Sequence, residues 1–224
     1  MATVSPSSYD QLLAHFGATP AIDGTHFSVW APEARELQMV LQHGGSHRLL
    51  PAGGGYFQGI LPARAGDRYK FLVDGKGPFP DPASRYHPEG PHGWSAIVDP
   101  NAFQWSDREK LSKQLDLKGQ VLYELHIGTF TEEGTYRAAE REFPRLQEIG
   151  ITALEIMPVN EFGGNFGWGY DGVNLFAPYH LYGTPNDLRH MIDAAHRLGL
   201  AIVLDVVYNH LGPDGNYLAR FSPY

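Results

Sequence analysis

Three short aliphatic runs alternate with two amphipathic segments over residues 120–207, and no other feature limits the fold as much. The runs are "QVLYELHIGTF", "ITALEIMPV" and "AIVLDVV". Between the first two, Tyr136, Ala139, Phe143, Leu146 and Ile149 recur at helical steps, and Gly150 ends the pattern. The second helix is punctuated at both ends. Thr184 takes the N-cap, Pro185 the first turn and Asp187 the third position, and Gly199 lies just past the end. Its apolar face is Leu188, Met191, Ile192, Ala195 and Leu198. A strand that is apolar along its whole length has no face to spare for water. Strand–helix–strand–helix–strand in this pattern predicts a parallel sheet covered on both faces.

The first half follows a different pattern. From His26 to Pro100, "HFSVWAP", "ELQMVL", "HRLLPA", "YFQGILP", "DRYKFLVDG" and "SAIVDP" recur every ten residues or so, which predicts a β-sandwich. The span "KGPFPDPASRYHPEGPHGW" is too rich in Pro and Gly for a strand or helix and reads as an irregular loop. No catalytic constellation appears here. Residues 1–105 are thus expected as a sandwich domain, 106–119 as a linker and 120–224 as the α/β part.

Charge and composition narrow the partners. A net charge of -8 argues against nucleic acid or an acidic membrane held by counterion release. The absence of cysteine excludes disulfides and thiolate metal sites. The start, "MATVSPSSYD", has no leader pattern, and no stretch is long enough to span a membrane. A soluble, cytoplasmic protein is expected.

Asp205 lies towards the carboxyl end of the third run, where parallel α/β folds place their chemistry. A carboxylate there either bonds backbone at the strand exit or faces a site. The run "DVVYNH" favours the site, since Asn209 and His210 follow four and five residues on and can return to the same place.

"DVVYNH" resembles the first signature region of the α-amylase superfamily of glycoside hydrolases. "WGYDGVNLFAPYHLYGTPNDL" resembles that family's loop and helix after the second barrel strand. "ELHIGTF" resembles the first strand of members with an amino-terminal sandwich. The likeness covers nearly the whole chain. It implies an immunoglobulin-like β-sandwich followed by the first three β/α units of a (β/α)8 TIM barrel. Within the family, the "DPASRYHPEGPHG" loop and the "LGPDGNY" continuation look most like members that cut the α-1,4 bond next to the terminal trehalose of maltooligosyltrehalose. Glycogen branching enzymes come second.

The resemblance also implies roles. Asp205 would support charge and geometry at the sugar on the non-reducing side of the cut bond without being the nucleophile, and His210 would bond a hydroxyl of that sugar. Tyr170 would stack on the sugar, and Trp168 would shape the pocket wall. Asn209 would brace the loop, and Asp171 either bonds a sugar hydroxyl or caps its own loop. His126 lines the pocket floor or sits satisfied in the core. Glu124 and Glu155 read as paired structural groups, because an unpaired carboxylate inside a strand is costly. His190 and His196 read as solvated. No metal or cofactor is expected, and the partner is maltooligosyltrehalose or another α-1,4-glucan. The family's nucleophile and general acid stand on the fourth and fifth barrel strands, so the chain is expected to be the amino-terminal part of a longer protein, inactive alone. Two other readings remain: a carbohydrate-binding module acting through Trp30, Trp94 and Trp105, and a non-catalytic partner protein.

Overall fold

The computed structural model describes residues 16–106, 116 and 118–223. Two compact units emerge, one drawn from Met1–Asp99 with Asn216–Tyr224, the other from Pro100–Gly215.

The first unit is a β-sandwich. Its strands are β1 (Gly17–Ala21), β2 (Gly24–Trp30), β3 (Leu37–Leu41), β4 (Ser46–Gly53), β5 (Tyr56–Leu61), β6 (Arg68–Val73), β7 (Lys76–Phe79) and β8 (Ser95–Ala96). The hydrogen-bonded path runs β1-β2-β5-β4-β3-β6-β7, with β8 on β6, and every pairing is antiparallel. The path turns over within β4, whose first half pairs with β3 and whose second half pairs with β5 across a register shift. Two layers therefore share one core. Phe27 on β2 meets Tyr69 and Phe71 on β6 edge-to-face, with ring centroids 5.1 and 6.3 Å apart. Beside them, Asp81 is buried and accepts from Tyr69 Oη at 2.6 Å and Ala83 N at 2.8 Å, which fixes the Pro-rich loop. Burial raises the Asp81 carboxyl above its usual range.

The structure corrects the sequence reading here. β7 lies within the span expected to be all loop, and β1 lies ahead of the expected strands. Both carry a proline (Pro20, Pro78) and both sit at the ends of the path, where a missing N–H costs no ladder bond.

The second unit holds β9 (Leu122–Leu125), α1 (Ile127–Phe130), α2 (Tyr136–Glu148), β10 (Ala153–Ile156), β11 (Asn160–Glu161), β12 (Asn174–Pro178), α3 (Pro185–Arg197) and β13 (Ala201–Leu204). Sheet order follows chain order, β9-β10-β13, with both pairings parallel. Successive parallel neighbours joined by helices are how a β/α barrel begins. Leu154 and Ile156 of β10 join Phe143 and Leu146 of α2 and Met191 and Ala195 of α3 in one buried cluster. Both helices thus cover the same face, as the outer helices of a β/α barrel do. On the other face, strand alternation and register set Glu124, Glu155 and Val203 in one row and His126, Met157 and Asp205 in the next. The first aliphatic run is also shorter than expected as a strand, because "IGTF" turns into α1. Ile149 caps α2 and is 69% exposed, so it falls outside the buried face. Among the described residues no helix is long and apolar enough to cross a membrane.

Candidate active site

Asp205 stands one step past β13, its backbone N–H donating to Ile156 O at 2.9 Å. Its carboxylate Oδ2 accepts from Tyr170 Oη at 3.0 Å, across 35 positions of sequence. His210 returns from the following loop and donates Nε2–H to the backbone oxygen of Tyr170 at 2.9 Å. Asp205, Tyr170 and His210 are therefore together at the carboxyl end of the sheet. His210 spends Nε2 on the protein, which leaves Nδ1 as the atom to meet a hydroxyl.

Tyr170 and Trp168 ride on the loop between β11 and β12, and glycine makes that loop possible. Gly169 has φ +89°, and a Cβ there would stand 1.9 Å from Pro158 O. At Gly212 a Cβ would meet Asp171 O at 2.2 Å, and the Gly212 N–H donates to Gly172 O at 3.0 Å. The loop of Asp171 and the loop of His210 are thus in backbone contact. The side chains of Asp171 and Asn209 are exposed and make no hydrogen bond among the described residues. Neither loop bracing by Asn209 nor capping by Asp171 is seen.

Glu124 and Glu155 are not the paired groups expected. Neither makes a hydrogen bond or ion pair among the described residues, because both point to the face away from the helices. The Tyr170 hydroxyl is held above its ordinary pKa chiefly by its bond to Asp205, and the charges of Glu124 and Glu155 act in the same direction. A cavity of about 540 Å³ opens alongside, lined by Glu124, His126, Met157, Phe166, Trp168 and Tyr182 among others. Trp168 is 74% exposed on its wall and Phe166 is 95% exposed. Phe166 could not be singled out beforehand, since a loop phenylalanine has no pattern of its own. The size and the aromatic walls suit a small polar ligand with an apolar face.

Beneath the loop lies a buried acid that sequence reasoning passed over. Glu161 is fully buried, and its carboxylate accepts from His180 N at 3.0 Å and pairs with His180 Nδ1 at 2.9 Å. Burial pushes Glu161 up to about 8 and lowers His180. Phe162 stacks on Tyr179 at 3.9 Å, and both rings are buried. Elsewhere, His190 packs edge-on against Phe103 at 5.1 Å and His196 is half-buried, so neither is simply solvated. Of the tryptophans considered for a binding module, Trp30 is 43% exposed, Trp94 lies under Lys70 Nζ at 5.4 Å, and Trp105 packs on Phe103 within the second unit.

Residues 98–222 match the family model described as alpha amylase, catalytic domain. Residues 15–102 match carbohydrate-binding module 48, the isoamylase N-terminal domain. The malto-oligosyltrehalose trehalohydrolase of Saccharolobus solfataricus is 46% identical over 93% of this chain and 37% of its own length. That of Deinococcus radiodurans is 48% identical over 92% of this chain and 34% of its own. The crystal structure of a putative alpha amylase from Salmonella typhimurium superposes with a TM-score of 0.87. It is 43% identical, covering 93% of this chain and 35% of that one. The chain spans about a third of the length of the curated relatives it matches.

Proposed function

The chain belongs to the α-amylase family of catalytic domains, and from that premise we propose that the protein hydrolyses the α-1,4-glucosidic bond next to the terminal trehalose of a maltooligosyltrehalose. The observation that carries the reading is the Tyr170–Asp205 bond, 3.0 Å long, at the carboxyl ends of parallel strands and beside an aromatic-walled cavity. A sugar offers a C–H face to an aromatic ring and hydroxyls to a carboxylate, and this set supplies both. Tyr170 presents its ring and hands its hydroxyl proton towards Asp205. The Asp205 carboxylate would face a sugar ring that gains positive charge as it flattens towards an oxocarbenium ion. His210 holds Tyr170 by its backbone and offers Nδ1 to a sugar hydroxyl. A retaining mechanism needs a nucleophile and an acid roughly 5–5.5 Å apart, and we assign neither role to Asp205. The choice of trehalose-ended substrate follows the names of the relatives at 46 and 48% identity.

The test is product analysis with the full-length protein. Maltotriosyltrehalose should yield trehalose and maltotriose, with few new α-1,6 links formed on amylose. Rapid α-1,6 branching would move the assignment to a branching enzyme.

A further inference from the structure

The loop that presents Trp168 and Tyr170 is held to the body of its unit by three side chains, each directed at a backbone carbonyl of the loop. Tyr179 Oη donates to Gly164 O at 2.7 Å, His126 Nε2 meets Gly167 O at 3.0 Å, and His210 Nε2 meets Tyr170 O at 2.9 Å. Carbonyl oxygens only accept, so each nitrogen must carry a proton to hold its partner. The three anchors are evenly spaced along the loop, and His126 is the one next to Trp168.

His126 is itself fixed. It occupies the N-cap of α1 at the end of β9, its Nδ1 accepts from Thr129 Oγ1 at 3.2 Å, and its single Nε2 hydrogen is shared between Gly167 O and Tyr182 Oη, each 3.0 Å away. Tyr182 is 4% exposed and packs edge-on against both His126 and Tyr179, at 5.9 and 4.8 Å. The anchor therefore sits on a buried aromatic post, while the loop it holds carries side chains open to solvent.

We propose that His126 is a positioning residue, whose Nε2–H bond to Gly167 O keeps the loop in the conformation that binds sugar. This rests on the glycosidase reading above. Without the bond the loop samples other conformations, and only the competent fraction binds. Apparent affinity then falls by that fraction, while bound substrate selects the same loop and reacts at the same rate. One lost hydrogen bond to a carbonyl corresponds to a change of about five- to tenfold.

The experiment compares His126→Phe, which keeps a ring and loses the donor, with His126→Gln, whose side-chain amide can restore it. In the full-length protein, His126→Phe should raise KM for maltotriosyltrehalose about five- to tenfold and leave kcat within about twofold. Hydrogen exchange at residues 163–170 should speed up, and His126→Gln should reverse both effects. Equal fall in kcat with unchanged KM would mean a structural or chemical role and would overturn the proposal. Unchanged exchange in the loop would overturn it too, as would a Gln variant that behaves like Phe. If the parent protein does not turn over the substrate at all, the glycosidase reading fails, and the exchange comparison still decides whether His126 holds the loop.

Discussion

Glu161 illustrates how one buried group ties a loop to pH. A carboxyl normally near 4.5 is lifted to about 8 by burial, so the folded protein keeps a proton that the unfolded chain has already lost. Such a group adds stability in full below its unfolded value, and that stability drains away as pH rises through the folded value. His180 works in the opposite sense, since burial lowers it from 6.5 and its contribution is lost as pH falls. Above pH 6.5 only the Glu161 effect remains. Between pH 6.5 and 8 the second unit should lose roughly 2 kcal/mol at 1.4 kcal/mol per pH unit. Glu161→Gln keeps the hydrogen-bonding shape without the titration, so its stability should stay flat over that window. Urea denaturation of both proteins at pH 6.5 and 8 measures the difference. Parallel losses would show Glu161 to be already ionised at pH 6.5.

Elements differ in how much of them can be read from local sequence. The start of α3 was legible because everything that fixes it lies within four residues. Thr184 Oγ1 accepts from Asp187 N at 3.2 Å, and Asp187 Oδ2 accepts from Thr184 N at 2.9 Å. Thr184→Ala should therefore cost about 1 kcal/mol. Asp187→Ala should cost more, because Asp187 Oδ1 also accepts from Arg137 Nε of α2 at 2.7 Å. Chemical denaturation gives both values, and equal costs would show the Arg137 link to contribute nothing. β1 and β7 were illegible for the converse reason. Their partners, β2 and β6, supply the pairing, and only an edge position excuses their prolines. Residues 127–130 read as strand because Ile127, Thr129 and Phe130 are β-branched or aromatic, yet the backbone bonds of Thr129 and Phe130 to His126 O close a helical turn. Asp205, Tyr170 and His210 were legible through family likeness, since a separation of 35 positions hides the Tyr170–Asp205 pairing from any periodicity. The anchoring of the loop was not, because a backbone carbonyl that accepts a bond leaves no mark in the sequence.

At the scale of the molecule, chain order and structural unit part company at the last residues. Asn216–Tyr224 group with the sandwich although more than a hundred residues of the other unit intervene. Phe221 is 3% exposed, its ring 6.1 Å from Phe71 and 6.5 Å from Phe79. Tyr217 lies 6.0 Å from Phe79, and its hydroxyl is 2.8 Å from His92 Nδ1. A phenyl ring that deep is a core member whatever its place in the sequence, and core truncation of Phe to Ala costs about 3–5 kcal/mol. Phe221→Ala should therefore weaken the sandwich while leaving the parallel sheet as it was. Hydrogen exchange separates the two: amides of β2 and β6 should lose protection, and those of β10, paired on both sides, should not. Tyr217→Phe supplies the scale, because it removes one exposed hydroxyl bond and should cost less than about 1 kcal/mol. Unchanged protection of β2 and β6 in Phe221→Ala would show that the sandwich closes its core without this segment, and that 216–223 only rests on its surface.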